Sequence, residues 1–138
     1  MTDDFSQCMV GNSRMAARAI TRRYDAYLRP FGVSATQLSL LGGLRELAGA
    51  TVSEIADDRG FDRTTLTRNL DRLEAMGLVV SGHAGRGNGR IASITLKGDT
   101  LIEQLLPLWR KAQAEMKTDL SRETFDLSLK VLKRLAKV

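Results

Sequence analysis

Histidine and cysteine are nearly absent. The 138-residue chain has one of each, His83 and Cys8. A single cysteine excludes an intrachain disulfide and any cysteine-cluster metal site. A single histidine excludes His-rich metal sites and leaves little from which to build a histidine-based catalytic centre. No Walker or dinucleotide-binding glycine motif is present, so an enzyme is the least favoured class. No apolar run approaches the ~18–20 residues that a membrane span needs. Residues 1–7 carry Asp3 and Asp4 and have neither the basic nor the apolar region of a secretory signal. The expectation is one soluble, cytoplasmic domain with no metal, no cofactor and no membrane partner.

Proline and aromatic residues are also scarce. Only Pro30 and Pro107 occur, and aromatics make up 5% of the chain. With Leu, Ala, Arg and Met plentiful, most of the chain is expected to be helical. The 43% hydrophobic and 27% charged content is that of an ordinary globular domain. The excess of 21 basic over 16 acidic residues, a net +5, is compatible with a polyanionic partner.

A first helix is predicted from about Ser6 or Asn12 to Leu28. Its stripe is Ala16, Ile20, Tyr24, Tyr27 and Phe31, and Pro30 and Gly32 end it. Ser34 and Gln37 have the spacing of a capping box and open a second helix, on which Leu38, Leu41 and Leu44 form the apolar face. Gly42 and Gly43 within it permit either close packing against another helix or a kink. Thr51 and Glu54 repeat the box and open a short helix, Val52 to Arg59, stopped by Gly60. Asp62 caps a fourth, Arg63 to Met76, ended by Gly77. Two helices joined by a tight glycine-containing turn are a helix-turn-helix candidate.

After Gly77 the period changes. Leu78-Val79-Val80 and Ile91-Ala92-Ser93-Ile94 are short strand-like runs, and the segment between them holds Gly82, Gly85, Gly87 and Gly89 with Arg86 and Arg90. The reading is a hairpin with a glycine-rich tip. Thr95 then caps a helix running to about Asp119, with a kink expected at Pro107. The last helix follows Ser121. Phe125, Leu129 and Leu132 form one stripe, and Leu127, Val131 and Val138 another. A terminal helix apolar on two faces wants cover on both.

The fourth helix carries the chemistry. At about 100° per residue, Leu66, Leu70 and Leu73 share one face. Arg63, Thr64, Thr65, Thr67 and Arg68 are expected outward, with Arg72 one turn on. Arginine bonds guanine bidentately, threonine hydroxyls bond bases or phosphates, and their methyls meet thymine methyls. The competing reading is a solvated helix face. Arg86 and Arg90 on the hairpin strengthen the DNA reading, because glycines allow the loop backbone to approach a groove closely. Helix-turn-helix followed at once by an arginine-bearing hairpin is the order of a winged helix.

Over nearly its whole length the chain resembles a MarR-family transcriptional regulator. The resemblance rests on Gly32-Val33-Ser34 with Gln37; Thr51-Val52-Ser53-Glu54-Ile55-Ala56; Thr67-Arg68-Asn69-Leu70; Leu73-Glu74-Ala75-Met76-Gly77-Leu78-Val79; and Ile94-Thr95-Leu96-Lys97-Gly98. It implies a mainly α fold with a small β-hairpin wing, residues 33–98 forming a winged helix-turn-helix flanked by dimerisation helices in 6–31 and 100–138. It further implies a homodimer on a pseudo-palindromic double-stranded DNA operator, with Arg68 in the major groove and Arg90 at the wing tip. Wings of the family usually carry Asp two residues before the arginine. Here that residue is Asn88, so a looser wing is expected, with Arg90 ordered only on DNA.

Two further sites follow from the resemblance. Small aromatic or phenolic acids bind such regulators between the dimerisation helices and the winged helix, where Arg14, Arg18, Tyr24 and Trp109 offer charge and rings. Each of these is also an ordinary core or interface residue. Peroxide-sensing members use a cysteine near the start of the first helix. Matching Arg18-Ala19-Ile20-Thr21 places that position at Val10, about 200° of helix from Cys8, although a related branch carries cysteine where Cys8 stands. The expectation is a homodimeric repressor released by a small ligand, with Cys8 inert. A redox sensor acting through Cys8 and a winged-helix module for protein interaction are the alternatives.

Overall fold

In a computed structural model, residues 3–83 and 89–137 are described. They form α1 (Met9–Leu28), α2 (Ala35–Glu46), α3 (Val52–Arg59), α4 (Arg63–Ala75), β1 (Val79–His83), β2 (Arg90–Ile94), α5 (Leu96–Leu120) and α6 (Arg122–Leu135), with 3₁₀ turns at Phe5–Gln7 and Arg29–Phe31. Helices dominate, and the single antiparallel hairpin among the described residues is the predicted wing.

The helix starts are where local chemistry puts them. Both capping boxes form. Ser34 Oγ accepts from the Gln37 amide at 3.1 Å while Gln37 Oε1 accepts from the Ser34 amide at 3.0 Å. Thr51 and Glu54 do the same at 3.2 and 3.1 Å. Each box satisfies two amides that a helix start leaves without partners. Gly32, Gly60 and Gly77 close α-helical or 3₁₀ segments at φ of 74°, 72° and 75°, the left-handed region that glycine enters without steric cost.

The core joins the helix-turn-helix to the long helices. Leu40 and Leu41 of α2, Ile55 of α3, Leu66, Leu70 and Leu73 of α4, and Ile102 and Leu105 of α5 are all buried together. The two glycines of α2 divide their roles. A Cβ on Gly43 would stand 3.3 Å from Arg59 and Ile55 of α3, whereas one on Gly42 would meet nothing within 4 Å. Gly43 therefore serves close helix packing. Gly98, in the first turn of α5, is tighter still: a Cβ there would lie 2.3 Å from the Leu78 carbonyl oxygen.

The strands are longer than their hydrophobic runs suggested. Val79 pairs with Ile94, Ser81 with Ala92, Gly82 with Ile91 and His83 with Arg90. Backbone pairing carries the ladder through Ser81–His83, residues with no strand-like side-chain pattern. An antiparallel bridge from Thr51 to Ile91 ties the hairpin to the start of α3. The tip, residues 84–88, lies outside the described residues, and with it the expectations placed on Arg86 and Asn88; Val138 does too.

A polar seam joins α1 to α5. Tyr24 donates to Gln113, Tyr27 to Glu115, and Arg23 pairs with Asp119. The seam uses only the C-terminal half of α1. Of the expected stripe, Ile20, Tyr24 and Tyr27 are half-buried, while Ala16 and Phe31 are exposed. Phe125 is the one buried residue of α6; Leu127, Leu129, Val131, Leu132 and Leu135 are exposed.

Candidate nucleic-acid interface

The helix-turn-helix is α3, the turn Gly60-Phe61-Asp62, and α4. The turn is closed by the Phe61 amide donating to the Ala56 carbonyl at 2.9 Å. Asp62 caps α4 twice over: Oδ1 accepts from the Thr65 amide at 2.8 Å and Oδ2 from the Thr65 hydroxyl at 2.9 Å. These bonds, the amide first, hold the Asp62 carboxyl below its ordinary pKa, with the charge of Arg68 assisting. Glu54 is likewise held low by the Thr51 amide and hydroxyl.

Leu66, Leu70 and Leu73 clamp α4 to the core, and this clamp decides what faces out. Arg63, Thr64, Thr67 and Arg68 are exposed and, with Asp71, line one shallow groove of about 460 Å³. Arg63 also reaches the Ser53 hydroxyl at 3.3 Å, which links α3 to the face. Arg72 is exposed beyond the groove. Thr65 corrects the sequence expectation. It is half-buried and its hydroxyl is spent on Asp62, so it builds the helix start instead of facing outward.

Arg90 is a second correction. It is the first residue of β2, and its side chain folds back from the tip onto α4. Nη2 donates to Glu74 Oε2 at 3.2 Å and Asp71 Oδ1 at 3.3 Å, and Nε donates to the Ser81 hydroxyl at 3.0 Å. The carboxylates that order it come from the helix, so Arg90 is held in place without DNA. Asp71 and Glu74 lie three residues apart on α4, and that spacing was the signal available in the sequence.

A cleft of about 500 Å³ opens between α1, α2 and α5. Tyr24, Trp109 and Gln113 line it from one side and Arg45 and Arg59 from another. Tyr24 and Trp109 thus share a cavity, as expected. Arg14 and Arg18 do not join them; they are exposed on the N-terminal half of α1, and the cations come instead from α2 and α3. Arg45 pairs with Asp99 at 3.1 Å and Glu103 at 2.9 Å. Burial pushes the Tyr24 hydroxyl above its ordinary pKa, so it stays a neutral donor to Gln113.

Cys8 is exposed and precedes α1 as its N-cap, with an extended backbone and no side-chain capping bond. Its offset from Val10 is therefore not a rotation around a helix. Among the described residues no cluster of His, Cys, Asp or Glu is arranged to hold a metal ion, and no helix is long and apolar enough to cross a membrane.

Comparison with known proteins gives one family. The family profile described as "MarR family" matches residues 31–90. The solved structure of the transcriptional regulator MosR from M. tuberculosis is 34% identical, covering 97% of this chain and 98% of that one, with a TM-score of 0.83. The same regulator in complex with DNA is 33% identical over 95% of both chains, with a TM-score of 0.84. A mutant MarR from E. coli complexed with operator DNA is 25% identical over 97% of this chain and 99% of that one, with a TM-score of 0.83. Among curated proteins, the uncharacterized HTH-type transcriptional regulator YwoH of Bacillus subtilis is 25% identical over 83% of this chain and 84% of its own length.

Proposed function

The chain belongs to the MarR family of DNA-binding, non-enzymatic transcriptional regulators, and from that premise we propose a homodimeric repressor that grips a pseudo-palindromic operator and lets go when a small ligand binds. One observation carries the reading. Three buried leucines fix the roll of α4 so that Arg63, Thr64, Thr67 and Arg68 stand together on an open face. Arg68 is the base reader in this proposal, and Arg63 and Arg72 meet the backbone.

The dimer is supported by the apolar surface that one chain leaves open. Leu127 is 61% exposed, Leu132 53% and Leu135 48%, all on α6, and Met9, Val10 and Met15 of α1 are between 64% and 66% exposed. Exposed apolar residues concentrated on the first and last helices suit an interface with a second copy. Residues 6–31 and 100–138 are accordingly assigned to dimerisation and 33–98 to DNA. The cleft of Tyr24 and Trp109 lies between these two parts, where a small aromatic or phenolic ligand would bias their relative placement.

The test is selection of duplexes from a random pool, followed by titration of the selected site against unrelated DNA. The expected outcome is a two-fold repeated half-site, preferred at least a hundredfold, bound by a protein of dimeric mass in light scattering. Equal affinity for unrelated DNA, or a folded monomer at micromolar concentration, would sink the reading and favour a winged-helix interaction module.

A further inference from the structure

We infer that Asp71 is a base-selecting residue of the recognition face: its carboxylate accepts a hydrogen bond from the exocyclic amine of a cytosine that neighbours the guanine read by Arg68. This rests on the reading of α4 as the helix that enters the major groove. Asp71 lines the same shallow groove as Arg63, Thr64, Thr67 and Arg68, and its side chain is 63% exposed. The helical period puts it there. At about 100° per residue, Asp71 falls between Thr67 and Arg68 and one turn further along. The rest of that groove is arginine and threonine. A carboxylate among them is repelled by a polyanion unless it meets a specific donor.

Holding the wing does not by itself account for this placement. Arg90 bonds Glu74 Oε2 at 3.2 Å and the Ser81 hydroxyl at 3.0 Å, and meets Asp71 Oδ1 at 3.3 Å. Glu74 lies almost a turn beyond Asp71 and is half-buried, so it and Ser81 can fix Arg90 without a charge in the groove. The bond from Arg90 occupies Oδ1. Among the described residues no hydrogen bond is made to Oδ2. Arg90 therefore steadies the carboxylate and leaves one oxygen for a donor.

The base edges narrow the choice of donor. An ionised carboxylate accepts and cannot donate. In the major groove guanine presents two acceptors, thymine an acceptor and a methyl, and adenine a donor beside an acceptor. Cytosine presents its amine with no acceptor beside it, so it suits a carboxylate best. Arg68 and Asp71 are separated by a rise of about 4.5 Å along α4, a little over one step of a duplex at about 3.4 Å per base pair. That spacing puts the cytosine one pair from the guanine of Arg68.

The test is selection of duplexes from a random pool by the full chain and by Arg68→Ala, Asp71→Asn, Asp71→Ala and Glu74→Gln. The guanine lost in Arg68→Ala marks the position from which to count. The wild type is expected to select cytosine one pair away and to lose at least about tenfold in affinity when that C·G pair becomes T·A. Asp71→Ala should level the bases at that position. Asp71→Asn should raise adenine above cytosine, because an asparagine amide bonds adenine N6 and N7 together. Glu74→Gln takes the other carboxylate from Arg90 but leaves Asp71 in the groove, so it should keep the cytosine. Absence of a preferred cytosine there in the wild type, or a cytosine retained by both Asp71 variants, overturns the inference. So does the same change of preference in Glu74→Gln, which would mean that Asp71 acts only through Arg90. If Asp71→Ala does not fold, the isosteric Asp71→Asn carries the test. A wild type that selects no duplex, or an Arg68→Ala that keeps every base, would instead remove the reading of α4.

Discussion

Arg90 at the start of β2 is tied to Glu74 on α4, Nη2 to Oε2 at 3.2 Å, so the wing and the recognition helix are held to each other by a charge pair. Asp71, at 3.3 Å, adds a second acceptor from the next turn. The Arg90 side chain is 28% exposed, so it is more sheltered than an ordinary surface arginine. Its charge is therefore engaged within the protein before any phosphate approaches.

That arrangement predicts how Arg90→Ala differs from Arg68→Ala. Arg68→Ala should cost about 1–3 kcal/mol on the selected operator and relax preference at one base pair per half-site. Arg90→Ala should weaken binding to all duplexes by misplacing the wing, with little change in the salt slope. A double-mutant cycle between Arg90→Ala and Glu74→Ala should return a coupling of about 0.5–1 kcal/mol in stability. A salt slope that falls by about one unit in Arg90→Ala would mean that this arginine leaves α4 for a phosphate.

Two threonines two residues apart on α4 should separate cleanly. Thr65 spends its hydroxyl on Asp62, whereas Thr67 is exposed in the groove. Thr65→Val is expected to lower the melting temperature and leave base preference unchanged. Thr67→Val should leave the melting temperature unchanged and alter affinity or preference on DNA. Melting curves paired with a competition titration read both, and the reverse pattern would place the outward face wrongly.

The helix caps set an acid limit. The Asp62 and Glu54 carboxyls are held below their ordinary values of 3.8 and 4.5 by hydrogen bonds present only in the folded chain. Groups depressed on folding contribute stability above their unfolded pKa and lose it as pH falls through the folded one. The melting temperature should therefore drop between about pH 5 and pH 3. Asp62→Asn keeps an acceptor for the Thr65 amide but cannot gain a proton, so its melting temperature should fall less steeply over that range. Parallel slopes in wild type and variant would remove the cap as the titrating element.

Three glycines give opposite predictions under one substitution. Gly42→Ala adds a methyl in open space within a helix and should stabilise by up to ~1 kcal/mol. Gly43→Ala crowds Arg59 and Ile55 and should gain nothing. Gly98→Ala drives a Cβ toward the Leu78 carbonyl and Ile94, displacing α5 from the root of the hairpin, and should cost at least ~2 kcal/mol. Denaturant midpoints order the three, and a Gly98→Ala as stable as wild type would contradict the close packing of α5 against Leu78 and Ile94.

Helix starts, helix stops and the buried side of α4 were legible from sequence because each depends on neighbours along the chain. A capping box needs residues three apart, a C-terminal glycine needs only its own φ, and the stripe Leu66, Leu70, Leu73 needs only the helical period. Tertiary structure decided where charges meet. Arg90 finds Glu74 across the hairpin, sixteen residues away, and Arg45 finds Asp99 and Glu103 of α5 more than fifty residues on. It also chose Arg59 over Arg14 and Arg18 as a cation of the cleft, because Gly43 leaves room for the Arg59 stem at the contact of α2 with α3. Long side chains reach several ångströms in many directions, and only the packed backbone selects which partner lies within that reach.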